Sequence, residues 1–486
     1  MALADQDLRA AIAATRFGLG ARPGEIAEAR RDPRGFLTAQ IRPQGADLPA
    51  GVAASSERLN EFREYQLEKR DARLQKAAMA TGADGKPADP DARDPVKVVG
   101  MMLRQDVGGD FAARLQLAVT TEAGFRERWA EFWANHFTVS ATKAITGTVI
   151  GPFEAEAIRP NVFGRFADLL GAVEAHPAML TYLDQIQSVG PNSRAAEYAK
   201  TGGNRRGAAR LQPAVNRTVG LNENLAREIL ELHTVGVSGG YTQADVTEFA
   251  RAMTGLSIGR PGDPAAAGTA IFRDQAHEPG ERTVMGVRYR PGGREQAGAI
   301  LADLAAKPAT AAFVCGKIAR HFVADEPSPA LVARLEKAWT SSNGDLGRVA
   351  EALIAAPEAW APTPAKFKTP YEFIVSSYRA AGAQSETFGK VAPILTALGQ
   401  KPFSAPSPKG WPEDAQSWAA PDAIVKRMQF AQAFSTAAVR DRDPKALAAD
   451  ALGARLTPDT AKAVARAESR AEGFALLLMS PEFQRR

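Results

Sequence analysis

The chain has 486 residues, 45% apolar and 24% charged, with a net charge of +5 and a single cysteine, Cys315. This balance suits a globular protein and excludes a mostly disordered, collagen-like or membrane-bundle chain. The charge is too thinly spread to suit nucleic acid, and one cysteine makes neither an internal disulfide nor a Cys-cluster metal site.

Asp5, Asp7 and Arg9 interrupt any apolar core at the start, so the chain as written carries no signal peptide and reads as cytoplasmic. No apolar run approaches the roughly 18 residues of a membrane span. Residues 54–78 are heavily charged and predict a solvated helix, followed by a Gly/Pro/Asp-rich flexible loop at 79–95. In 125–137, Phe125, Trp129, Phe132, Trp133 and His136 share one helical face, with Glu131 and Asn135 on its flank. His176-Pro177 reads as a helix start. Residues 188–220 form a second long loop, and 258–270 and 401–422 are further Pro/Gly-rich stretches.

Residues 221–255 carry the most information. Leu225, Ile229 and Leu232 make an apolar stripe, with Asn222 and His233 near its centre and Asn224, Glu228 and Glu231 on or near the opposite side. Polar groups on every side predict a helix buried between layers, whose charges need partners. Thr242 and Asp245 predict a capping box for the next helix. Residues 268–290 predict one β-hairpin, with strands at 269–272 and 283–287 around His277-Glu278-Pro279-Gly280. The helix 309–323 sets Val314, Ile318 and Phe322 against a basic face of Lys317 and Arg320, with His321 at the border; Lys366 and Lys368 add cations before another helix. The expected fold is therefore all-α, with one small hairpin and long loops.

Two motif matches fail on context. Gly236-Val237-Ser238-Gly239-Gly240 fits a nucleophile elbow, but a helix precedes it where a strand is needed. Gly18-Leu19-Gly20 with Gly24 follows an Ala-rich helix rather than the strand of a dinucleotide fold.

Five histidines leave few ways to build a site. His136 and His233 both point into helix-packed interior, where each is equally well explained as a core residue bonded to backbone. If they converge, with Glu228 or Glu231 and His277, they could bind Zn²⁺ or Fe²⁺, or serve as a metal-free His/Glu acid–base pair, although no H-E-x-x-H pattern accompanies them. The catalytic candidates are His136, His233 and Glu228. Asn135, Asn222 and Asn224 are the candidates to hold a polar substrate, and Arg320 and Lys368 an anionic one. Hydrolysis or group transfer is the class this set suits. The competing reading is a non-catalytic binding or assembly protein, using its long loops and exposed Trp411 and Trp418.

Several segments carry a resemblance: Arg16–Gly20, Phe132-Trp133-Ala134-Asn135-His136-Phe137, Asn222–Glu228, Gly240–Val246, Lys317-Ile318-Ala319-Arg320-His321-Phe322-Val323, Lys366–Pro370, Gly410-Trp411-Pro412 and Ser480–Arg486. With these the chain closely resembles the bacterial DUF1800 proteins of unknown function, nearly end to end. The resemblance implies one large domain over 1–486, with 79–95 and 188–220 as loop insertions. It further implies an envelope or periplasmic role and a sulfatase-like partner encoded nearby. It implies no particular reaction.

Overall fold

The helix Gly124–His136 is the centre of the molecule. Phe125, Trp129, Phe132, Trp133 and His136 are all buried along it, as the spacing predicts. Its other side is buried as well, through Arg126, Glu127, Arg128 and Glu131. A helix buried all round must pair its charges. Arg159 makes a two-pronged bond to Glu127, Arg126 reaches Asp47 at 2.8 Å, and Arg128 pairs with Glu372. No side chain within the helix caps its start; the Gln40 side-chain oxygen accepts from the Phe125 amide at 2.8 Å instead.

The computed structural model describes residues 2–81, 95–200, 220–259, 268–383, 390–439 and 441–486. Helix makes up 64% of it, and strand is confined to two small sheets, so the protein is mainly α-helical. Among the described residues no single helix is long and apolar enough to cross a membrane. The predicted capping box forms, with the Thr242 and Asp245 side chains each bonding the other's backbone amide ahead of the helix Gln243–Met253. The helix Pro177–Tyr182 begins as read, with the His176 ring accepting from the Ala178 amide. The stretch ending at His233 departs from an α-helix. Its last turn, Ile229–His233, is π-helical, and so are Ala13–Phe17 and Glu154–Ile158.

Three expectations need correction. The single hairpin is in fact two. β1 (Leu256–Ile258) pairs with β2 (Ala270–Phe272), and β3 (Arg282–Val284) pairs with β4 (Val287–Tyr289), both antiparallel. The segment between them is taken out of pairing by tertiary bonds. Glu278 is held by Asn192 at 2.6 and 2.7 Å, and the His277 ring lies between the carbonyls of Thr254 and Gly292. The β3–β4 reversal uses Met285 and Gly286, both at positive φ, which favours a glycine. Second, helix occupies described parts of both predicted loops. Helices extend to Thr81, start at Pro95 and occupy Arg194–Lys200, while 82–94 and 201–219 lie outside the described residues. Third, Trp418 is buried, not exposed, and its indole N–H donates to the Pro412 carbonyl; Trp411 is half-buried beside it.

Buried arginines join the two ends of the chain. Arg16 donates to the carbonyls of Ala359 and Thr363, and Arg455 to Thr15. Arg379 donates to the carbonyls of Gly20, Ala118, Val119 and Thr121, and pairs with Glu25. The planar fork of guanidinium donors suits such carbonyl clusters, which a lysine would not satisfy.

Candidate active site

A cleft of about 100 Å³ opens beside the central helix. Glu131 and Asn135, one turn apart on that helix, form part of its lining. Arg114 comes from the helix Pro95–Thr120, Tyr371 and Glu372 from the first turn of Pro370–Ala380, and His321 from the end of Pro308–Phe322. The segment 400–413 closes it with Gln400, Phe403, Trp411 and Glu413. The volume is below that of a drug-sized pocket and suits a few waters or one small polar group.

The closing segment is fixed by a close approach. Asn135 bonds the backbone of Trp411 twice, donating to its carbonyl at 3.1 Å and accepting from its amide at 2.8 Å. Gly410 has φ +88°, and a Cβ there would stand 2.5 Å from the Asn135 carbonyl oxygen. Only glycine allows the segment to lie this close. The same Asn135 thus holds Glu413 indirectly, two residues beyond Trp411.

Glu413 orients His321. The imidazole Nδ1 lies 2.5 Å from the Glu413 carboxylate, which fixes Nδ1 as the protonated nitrogen and leaves Nε2 with its lone pair. Burial alone would raise the Glu413 pKa, but His321, Lys366 and Lys317 outweigh it and hold the carboxylate at about 2. Burial lowers His321 below its usual value, against the opposing pull of Glu413, so the ring is neutral near pH 7. The Arg486 side chain donates to the His321 carbonyl and pairs with Glu372 at 2.8 Å, which fixes the helix end.

Glu131 behaves in the opposite way. Burial, reinforced by Glu127, pushes its carboxyl up to about 7 against the pull of Arg114 and Arg128. The Tyr371 hydroxyl is raised well above its usual range by burial and by Glu131, so it stays protonated as a donor. Two carboxyl groups driven apart in pKa, on one cleft with a neutral histidine, are a recurring acid–base arrangement. Glu131 Oε1, the Tyr371 hydroxyl and His321 Nε2 are all buried and all lack a hydrogen-bond partner. Unsatisfied buried polar atoms are costly, and three around one cleft mark a place for a ligand or water.

The chain matches the family described as protein of unknown function, DUF1800, over residues 12–485. The chain belongs to this family. No curated protein and no solved structure gives a significant match.

Elsewhere in this DUF1800 protein, His136 and His233 do meet, with ring centroids 6.1 Å apart. His136 Nε2 donates to the His233 carbonyl at 3.1 Å, and His233 Nδ1 bonds Glu174 at 2.7 Å. Both rings are packed against Phe137 and have at most 1% exposure. Burial, aided by Lys317, lowers the His136 pKa well below its usual value. The carboxylate that holds His233 is thus Glu174, not Glu228, which is half-buried and raised in pKa by burial. Asn222 and Asn224 are not in the cleft lining. Asn222 donates to the Leu183 carbonyl and caps the Asn224 amide, and Asn224 is exposed. Arg320 is exposed and donates to the Asp325 carbonyl. Lys368 is buried, bonded to Ser376 and seated on the Phe483 ring. Among the described residues no group of three His, Cys, Asp or Glu is arranged to hold a metal ion, so the Zn²⁺ or Fe²⁺ expectation finds no donor set there.

Of the predicted residues, the cleft gathers Asn135 and Trp411. Sequence reasoning missed Glu131, His321, Tyr371, Arg114 and Glu413 as site residues. A signal was present: the segments around 132–137, 317–323, 366–370 and 410–412, on which the family resemblance rests, all border or support this cleft.

Proposed function

We propose that the cleft is an acid–base active site for hydrolysis or group transfer at a small polar group. The observation carrying this reading is the set of three unpartnered buried atoms, His321 Nε2, Glu131 Oε1 and the Tyr371 hydroxyl, around one cavity. His321, polarised by Glu413, takes a proton from water or a substrate hydroxyl through Nε2. Glu131, protonated below about pH 7, returns a proton to the leaving group. The Tyr371 hydroxyl donates a hydrogen bond to the oxygen on which charge develops. Arg114, bonded to Glu154 at 2.7 Å and stacked 5.2 Å above the Tyr371 ring, keeps a positive field on that side.

The test is turnover of a small-molecule extract followed by mass spectrometry. A compound consumed by the wild type should be spared, by at least about 100-fold in rate, with His321→Gln and with Glu131→Gln. Activity as a function of pH should be bell-shaped. It rises as His321 loses its proton below the usual histidine value and falls as Glu131 ionises near 7. Turnover retained in both folded variants would overturn the assignment.

A further inference from the structure

One edge of the cleft is built where a short helix ends. After the helix Val391–Ala397 the chain turns at Gly399, which has φ +91°, and the Gln400 amide donates back to the Leu395 carbonyl at 2.9 Å. A tight turn follows, closed by the Ser404 amide on the Lys401 carbonyl at 3.2 Å, with Pro402 and Phe403 at its corner. Phe403 takes the position that favours glycine, with φ +52°, yet it is buried. Its carbonyl accepts from the Ala141 amide at 2.7 Å, and its ring lies 5.9 Å from the Arg114 guanidinium; these contacts hold the strained turn in place. The turn sets Gln400 and Lys401 side by side in the lining.

Both residues carry donors that the protein leaves unused. The Gln400 side-chain oxygen accepts from the Tyr371 amide at 2.8 Å, which anchors the side chain and leaves its Nε2 over. Among the described residues, neither Gln400 Nε2 nor the exposed Lys401 ammonium has a hydrogen-bond or ion-pair partner in the protein. The other charges of the lining are matched. Arg114 pairs with Glu154 at 2.7 Å, Glu372 with Arg128 and Arg486, and Glu413 with His321. Glu131 is mostly uncharged below about pH 7. The cleft therefore keeps one uncompensated positive charge, at Lys401.

We propose that Gln400 and Lys401 hold a carboxylate carried by the substrate, next to the bond on which His321 and Glu131 act. One amide N–H and one ammonium suit the two oxygens of a singly charged carboxylate. A phosphate dianion calls for a second unpaired cation, which the described lining lacks. The buried Phe403 and Phe111 and the half-buried Trp411 give the contact apolar surroundings on one side, where a charge pair is stronger than in open water. The word substrate and the neighbouring bond rest on the acid–base reading; the carboxylate contact itself does not.

The experiment is titration of the full chain with carbon-labelled acetate at constant ionic strength, read from the broadening of the acetate line in NMR spectra, with inorganic phosphate as competitor. The wild type should broaden the line saturably, and phosphate should displace acetate only weakly. Lys401→Met, at an exposed position, should weaken binding at least about fivefold. Gln400→Glu keeps the acceptor for the Tyr371 amide but exchanges the free donor for a negative charge, and should weaken binding at least about tenfold. Arg348→Gln, which alters an exposed arginine paired with Glu351 elsewhere, should leave it unchanged. Absence of saturable acetate binding to the wild type, unaltered binding in Lys401→Met, or tighter binding of phosphate than of acetate overturns the proposal. Because acetate binding is read without turnover, the two readings fail separately. Acetate bound by a His321→Gln protein whose turnover is undiminished rejects the acid–base assignment alone; turnover that depends on His321 in a protein that does not bind acetate rejects the carboxylate site alone.

Discussion

Neutralising Glu131 should stabilise the protein, and only above the pH at which an ordinary glutamate ionises. The carboxyl is 9% exposed and rises from 4.5 to about 7 on folding. At about 1.4 kcal/mol per pH unit, ionised Glu131 costs the fold about 3 kcal/mol. A carboxyl whose folded pKa lies above its unfolded one carries no penalty below the unfolded value of 4.5. The penalty grows between 4.5 and about 7 and is complete above. At pH 5 it is therefore about 1 kcal/mol, and at pH 8 about 3 kcal/mol. Glu131→Gln removes this term and adds a buried amide whose cost is the same at every pH. Urea unfolding of both proteins at pH 5 and pH 8 isolates the difference. The variant should gain about 2 kcal/mol on the wild type between the two. A gain of this kind at a site residue, with loss of turnover, is the usual trade between stability and activity. Equal destabilisation at both pH values would refute the reasoning and make Glu131 a structural partner of Arg114.

The remaining expectations concern its neighbours. Glu413→Gln should leave His321 without the charge that fixes its tautomer, lowering turnover about 10²–10⁴-fold at every pH. Gly410→Ala should destabilise by about 3 kcal/mol, from a strained positive φ and the loss of two Asn135–Trp411 bonds, read by tryptophan fluorescence during unfolding. Glu174→Ala should cost about 3 kcal/mol by leaving the His233 N–H unpaired in the core, while turnover per folded molecule stays unchanged; a selective loss of turnover would move the chemistry to His136 and His233.

The sequence made some of this plain and concealed the rest for physical reasons. The face of Phe125, Trp129, Phe132, Trp133 and His136 was legible because helical period alone determines it. The Thr242–Asp245 box was legible because capping is local. That His136 and His233 each face inward was legible; that they meet was not, because it depends on how their helices pack. Glu131 read as a flank residue because its helix is buried on every side, which period does not reveal. His321 read as the border of a basic face. Its partner Glu413 lies 92 positions away, in a stretch without secondary-structure signal. The two hairpins merged into one because a sequence shows candidate strands but not which tertiary bonds, here to Glu278 and His277, pull a segment out of register.

The buried arginines also set an order of events. Arg16 is satisfied by carbonyls at 359 and 363, Arg379 by those near residues 20 and 120, and Arg455 by Thr15. A growing chain presents Arg16 and the 118–121 carbonyls long before their partners exist. Loops of several hundred residues must close before these donors are paired, so the core is completed late in synthesis. Until then the aromatic helix at 124–136 has no cover from the later helices, and the nascent chain exposes the surface that chaperones hold.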